Sequence, residues 1–196
     1  MNGYAVVDVE TSGFHPPVAE IVEIAIVHVD RTGQVTGWWD TLIRPEAGVG
    51  ATRVHGITRA MVASAPRFED IGLDLHALLA DRIVAAHNLA FDAKFLVSHF
   101  ARMGLDSPEI AGGVCTLRTS QILLPGPSYK LADCCQTLGI ELTDAHSALG
   151  DALATARLLG LYLSRGLDLG GMAVRPHASV PQPRAEASGL FRSRTR

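Results

Sequence analysis

Hydrophobic positions follow a strand period at the start of the chain and a helix period later. Tyr4–Glu10 (Y-A-V-V-D-V-E) is an apolar run that predicts a strand. Phe14-His-Pro-Pro-Val breaks it as a loop, and Ile21–Val29 (I-V-E-I-A-I-V-H-V) predicts a second strand. Alternation would put Ile21, Glu23, Ala25, Val27 and Val29 on one face and Val22, Ile24, Ile26 and His28 on the other. Asp30-Arg-Thr-Gly reads as a turn and Gln34–Ile43 as a third strand, so the chain opens on an antiparallel meander. Trp38 and Trp39 occupy successive strand positions, which predicts one buried and one more exposed.

Beyond Pro45 the period lengthens. Thr58, in V-H-G-I-T (Val54–Thr58), is placed to cap a short helix through Val62. Arg67–Ala80 carries Phe68, Ile71, Leu75, Leu78 and Leu79 on one helical stripe. Arg82–Ala86 is a short apolar strand, and Asn88 is placed to cap a helix Leu89–Met103 that closes at Gly104. Val114-Cys115 predicts one more short strand. Helices follow over Leu117–Leu124, Lys130–Leu138 and His146–Ser164, the last with Leu149, Ala152, Leu153, Ala156, Leu159 and Leu163 at core spacing. A meander followed by strands alternating with helices indicates an α/β or mixed α+β sheet protein. From Gly166 the periodicity stops, and residues 170–196 are rich in Gly, Pro, Ser, Ala and Arg. The expected organisation is one domain over 1–166 and a disordered tail over 167–196.

Composition adds limits to this picture. The chain has 196 residues, 47% hydrophobic and 19% charged, enough to bury a sizeable core. It contains no apolar run long enough to span a membrane and no secretion signal at its start, so a cytoplasmic protein with no membrane partner is expected. Cys115, Cys134 and Cys135 are odd in number with two adjacent, which suits buried reduced thiols better than disulfides or a zinc site. The net charge of −3 is uneven. Residues 175–196 hold five arginines and one glutamate, whereas residues 1–174 hold twelve basic and nineteen acidic side chains. A negative core is no footprint for general nucleic-acid binding, but it is compatible with acidic residues gathered around bound cations.

Chemistry enters with Asp8 and Glu10. Two apart on a strand, they share a face, and two like charges that close on a buried sheet are costly unless a cation lies between them. Two further acidic positions stand out. Asp92 lies in the first turn of the helix after H-N-L-A-F-D-A-K-F-L begins, and Asp151 lies at the start of the last helix, five residues after His146. Alone, each is an ordinary capping or dipole residue. As a set, four carboxylates and one histidine suit a two-metal site, because hard divalent cations take carboxylate oxygens and leave positions for water and phosphate.

Three stretches, D-V-E-T-S-G-F, H-N-L-A-F-D-A-K-F-L and H-S-A-L-G-D-A-L-A-T-A, resemble in order the three motifs of the DEDDh 3′→5′ exonucleases. V-H-G-I-T and S-Y-K-L-A-D-C-C-Q-T-L-G-I add secondary matches, and the likeness runs from Tyr4 to about Leu163. His146 makes the third motif the histidine form of the family. The resemblance implies a ribonuclease H-like fold with a mixed five-stranded sheet, its first three strands antiparallel, flanked by helices. It implies Asp8, Glu10, Asp92 and Asp151 as ligands of two divalent ions, Mg²⁺ or Mn²⁺, with Asp8 bridging both, and His146 as general base. A histidine titrates near neutrality and can take a proton from a water made acidic by a metal. Nucleoside 5′-monophosphates would be released from a 3′ end.

Substrate contacts are expected at the turn Thr11 to Gly13, where Gly13 permits close approach. Phe14 is either a wedge against terminal bases or a loop anchor. His55 is either near the substrate or a capping residue, and Asn88 is a helix cap, a phosphate contact, or both. The expected partner is a nucleic acid 3′ end, single-stranded DNA ahead of RNA, with a DNA polymerase subunit or a sliding clamp as a protein partner. Ala187–Phe191 (A-S-G-L-F) faintly resembles clamp-binding peptides but lacks their leading Gln, and the tail arginines can capture phosphates. The competing readings are an exoribonuclease that trims RNA ends and a non-catalytic scaffold that binds a polymerase.

Overall fold

The computed structural model describes residues 2–16 and 18–166, together with the backbone of 192–193. Strands β1 (Tyr4–Thr11), β2 (Ile21–Val29) and β3 (Val35–Leu42) form the expected meander. β4 (Ile83–Ala86) runs parallel to β1 on its other side, and β5 (Val114–Cys115) runs parallel to β4. A two-residue strand, β6 (Arg192–Ser193), pairs antiparallel with β3, so the order across the sheet is β5-β4-β1-β2-β3-β6. The five expected strands are all present. The remainder of the expected tail, with Ala187–Phe191, lies outside the described residues.

β1 is central because both of its faces are covered, which suits its nearly unbroken apolar run. One face, with Ala5, Val7 and Val9, joins Ile24, Ile26, Trp39 and the helices α2 (Phe68–Leu79) and α3 (Leu89–Arg102) in one core. The other face, with Tyr4 and Val6, joins Ala25, Val27, Val29 and the long helix α7 (Ala148–Ser164) in a second. The short helices α1 (Thr52–His55) and α4 (Pro108–Ala111), with α5 (Thr116–Leu123) and α6 (Leu131–Leu138), complete the element order. No helix among the described residues is long and apolar enough to cross a membrane.

α7 comes close to the sheet because the buried side of its first half is made of small residues, with Leu158, Leu159 and Tyr162 buried further along. Ala148, Gly150, Ala152, Thr155, Ala156, Leu159 and Tyr162 are buried, whereas Leu149, Leu153 and Leu163, expected in the core stripe, are only partly covered. At its far end the β2–β3 turn packs backbone to backbone on the helix. A Cβ on Gly160 would lie 2.5 Å from the Gly33 carbonyl oxygen, and Gly33 itself has φ +93°.

Three other expectations are corrected. The two-face reading of β2 fails at its first residues. Glu23 faces Glu10 and Ile21 faces Thr11, so Val22 is an extra residue, a bulge that reverses the phase. Ile21 therefore packs with Ile24 and Ile26, and Val22 joins a small cluster with Ile57 and Val62. Thr58 opens no helix. Its hydroxyl accepts from Met61 N at 3.4 Å in a turn, and the helix of this region is α1, which ends where Gly56 turns left-handed at φ +72°. Asn88 precedes α3 as expected but makes no side-chain cap; it sits at φ +78°, a conformation that Asn tolerates better than most residues. Trp39 is buried and Trp38 half-buried, as their adjacent positions predict.

Candidate active site

β1 pairs with β4 only as far as Val6. Beyond that point no strand among the described residues pairs with it on this side, and the acidic residues gather there. Asp8 and Glu10 point to the α7 face. They meet Asp151, in the first turn of α7, so that one carboxylate oxygen from each lies within 4.8 Å of the others. Asp92 reaches the same strand from the start of α3. It is buried, and its Oδ1 accepts from the Val9 backbone N–H at 3.2 Å, filling the place of a missing ladder bond. Of the neighbouring carboxylates, Asp92 acts most strongly on Asp8.

The electrostatics of this group suits bound cations. Burial, followed by the charges of Asp92, Asp151, Glu10 and Glu23, holds the Asp8 carboxyl well above its ordinary range. Burial and the charges of Asp151 and Glu23 push Glu10 up to about 7. Burial raises Asp92 against the hydrogen bonds it accepts. Asp151 is also raised by burial, although the His146 backbone hydrogen bond and the nearby imidazole pull it down. Clustered carboxylates that resist ionising are stabilised by a divalent ion, for which oxygen ligands are the natural donors. Asp8, Glu10 and Asp151 can hold one directly, with Asp92 beside Asp8.

His146 lies in the loop leading into α7, exposed and at φ +68°. The loop wraps the helix start. Ser147 N donates to Asp144 O at 3.0 Å, Ser147 Oγ accepts from Gly150 N at 3.1 Å, and a Cβ on Gly150 would lie 2.5 Å from both the Thr143 and Asp144 carbonyl oxygens. His146 and Asp151 thus form a single unit with the first turn of α7.

The expected substrate residues divide. Thr11 is buried and its hydroxyl donates to Gly13 O at 2.7 Å, so it staples the turn. At Gly13 an added Cβ would lie 3.1 Å from the Ala19 Cβ, so a side chain there would require Ala19 to shift by a few tenths of an ångström. Phe14 is 73% exposed, which removes the anchor reading, and its carbonyl accepts from Lys94 Nζ. His55 is buried, and its Nδ1 accepts from Ile57 N at 3.0 Å, the capping arrangement. Asn88 is exposed. Phe95 is fully buried and Phe91 partly so, with Lys94 Nζ 4.5 Å from the Phe91 ring centre.

Glu23 was not foreseen. It stands opposite Glu10 in the β1–β2 ladder, and its Oε2 accepts from Ala148 N, at the first position of α7, at 2.9 Å. The signal was present in the sequence as a lone glutamate within an apolar strand, the same anomaly that exposed Asp8 and Glu10.

A family model described as exonuclease matches residues 5–159. The chain belongs to the exonuclease family, in its DEDDh division. It is 35% identical over 192 residues to a DNA polymerase III subunit epsilon-like protein of Rhodobacter capsulatus, covering 90% of this chain and 27% of that protein. It is 34% identical over 166 residues to the PolC-type DNA polymerase III of Oceanobacillus iheyensis, covering 83% of this chain and 11% of the other. Both relatives are thus much longer proteins. The structure of Exonuclease X in complex with 5′ overhanging duplex DNA superposes with a TM-score of 0.71 at 28% identity, over 87% of this chain and 97% of that one. The fold is that of the DEDDh exonucleases, and the family depends on divalent metal ions.

Proposed function

We propose that this exonuclease removes nucleoside 5′-monophosphates from the 3′ ends of DNA, in proofreading or repair. The carrying observation is the convergence of Asp8, Glu10 and Asp151 within 4.8 Å beside buried Asp92. The DNA assignment is supported by the polymerase names of its relatives and by the DNA-bound Exonuclease X likeness. A polymerase that presents the 3′ end is the partner this reading calls for. The catalytic domain extends over residues 1–166, and the three unpaired thiols suit the reducing cytoplasm.

The residues divide the work as follows. Asp8, Glu10, Asp92 and Asp151 would hold two divalent ions, Mg²⁺ or Mn²⁺. Bound there, such ions would supply positive charge against the scissile phosphate and make a water more acidic. His146, exposed on its loop, takes a proton from the water that attacks the terminal phosphorus in line, while the bond from phosphorus to the 3′ oxygen breaks and the departing 3′ oxygen takes up a proton from solvent. Asp151, next to His146, steadies the imidazolium that results. Phe14, exposed on the turn after β1, is available to stack on the terminal bases.

Digestion of matched DNA and RNA single strands with Mg²⁺, with Asp8→Ala as control, tests the reading. Mononucleotides released from DNA faster than from RNA, and none with the variant, are expected. Exclusive RNA degradation would overturn the DNA assignment, and equal trace activity in wild type and variant would leave only a scaffold.

A further inference from the structure

We infer that Glu23 is a positioning residue of this active site, fixing the first turn of α7 so that Asp151 and His146 face the carboxylates of β1. The inference rests on the exonuclease reading above for what is being positioned, but on independent geometry for how.

The first N–H groups of a helix have no partner within it. In α7 the N-cap Ser147 serves Gly150 N. Ala148 N is left over, and the residue is fully buried, so water is a poor alternative. Its partner is Glu23 Oε2 at 2.9 Å, from a strand 125 residues earlier in the chain. This is the single described side-chain hydrogen bond from β2 to the start of α7.

Ala148 lies two residues after His146 and three before Asp151. Because the 143–147 loop is wrapped on Gly150, a shift of the helix start carries both residues with it. At the other end of the bond, Glu23 is directly opposite Glu10. One side chain therefore sets the distance between the two halves of the site. That distance matters, since a misplacement of about 1 Å in a catalytic group can cost about 100-fold in rate.

Glu23 could instead act only by adding negative charge to the cluster. Three variants separate the two roles. Glu23→Gln keeps the acceptor and drops the charge, Glu23→Asp keeps the charge and falls short of Ala148, and Glu23→Ala loses both. Amide hydrogen exchange at Ala148, followed by NMR in EDTA, reads the bond without any metal or turnover. Steady-state exonuclease assays with Mg²⁺ read kcat and KM.

Exchange at Ala148 at least about tenfold faster in the Asp and Ala variants, with kcat lowered about 10- to 100-fold and KM little changed, is expected. Glu23→Gln should stay near wild type in both readouts. The inference is overturned if Ala148 exchange is unaltered in Glu23→Asp, or if Glu23→Gln is slow while Glu23→Asp is normal, which would assign the effect to charge. Should Glu23→Ala not fold, the Asp and Gln pair decides alone. An inactive wild type would sink the exonuclease reading, and the exchange data would still decide whether Glu23 holds the helix.

Discussion

If the carboxylate cluster is built for cations, removing one of its charges should stabilise the metal-free protein while harming the enzyme. Glu10→Gln tests this. Burial and the charges of Asp151 and Glu23 raise Glu10 from 4.5 to about 7. At 1.36 kcal/mol for each pH unit, this corresponds to about 3.4 kcal/mol of cost for the ionised form. Glu10 is only half-buried, so solvent screening lowers the figure to about 1–2 kcal/mol. The folded-state value is above the unfolded one. The protonated group therefore favours the fold, with its contribution complete below about pH 4.5 and lost as the pH rises through about 7. Glutamine has the shape without the titration. In EDTA at pH 8 the variant should melt about 3–6 °C above wild type, a gap that closes towards pH 4.5. Millimolar Mg²⁺ should raise wild type much more than the variant and reverse the order. Thermal unfolding by circular dichroism measures all of this. A variant less stable than wild type in EDTA at pH 8, or a gap independent of pH, would refute the reasoning.

Two further outcomes are expected. His146→Ala should lower kcat at least about 100-fold, the scale of a general-base contribution, while oligonucleotide binding measured by fluorescence anisotropy is retained. Gly160→Ala should destabilise the fold by about 1–3 kcal/mol, seen as a lower denaturant midpoint, because its Cβ would press on the Gly33 carbonyl at 2.5 Å. Its kcat should be unchanged, since Gly160 lies about 18 Å along α7 from Ala148.

Much of the candidate site is legible in the sequence because each part breaks a local rule. Asp8 and Glu10 interrupt an apolar strand, and Asp92 and Asp151 each open a helix next to a histidine-bearing segment. The family resemblance then joins them, and the structure brings three of the four within ligand distance. Local rules misled where two mechanisms use the same residue type. Asn88 suits both an N-cap and a left-handed residue, and the backbone takes the second. Thr58 suits both a helix cap and a turn, and Gly56 at φ +72° was the better signal because it ends α1 just before. On α7 the expected stripe holds for Ala152, Ala156 and Leu159, which are buried, but close approach to the sheet also buries the small Ala148 and Gly150 and leaves Leu149, Leu153 and Leu163 only partly covered.

The bulge at Val22 was hidden for a different reason. I-V-E-I-A-I-V is apolar in either phase, so alternation cannot reveal an inserted residue, yet the insertion shapes the site. Without it Ile21, two residues before Glu23, would share its face and stand among the carboxylates. With it Ile21 turns into the opposite core. Its backbone N–H then finds the buried His99 Nε2 at 3.4 Å. Burial and Arg102 lower the His99 pKa to about 4, so the ring is neutral and has one acceptor nitrogen, for which the Ile21 N–H and the Arg102 guanidinium compete. The polar face of β2 therefore ends at Glu23, which is free to bridge Glu10's strand and Ala148's helix. One residue inserted in an apolar strand keeps a hydrophobic side chain away from the carboxylate cluster and leaves room for the glutamate that links it to the start of α7.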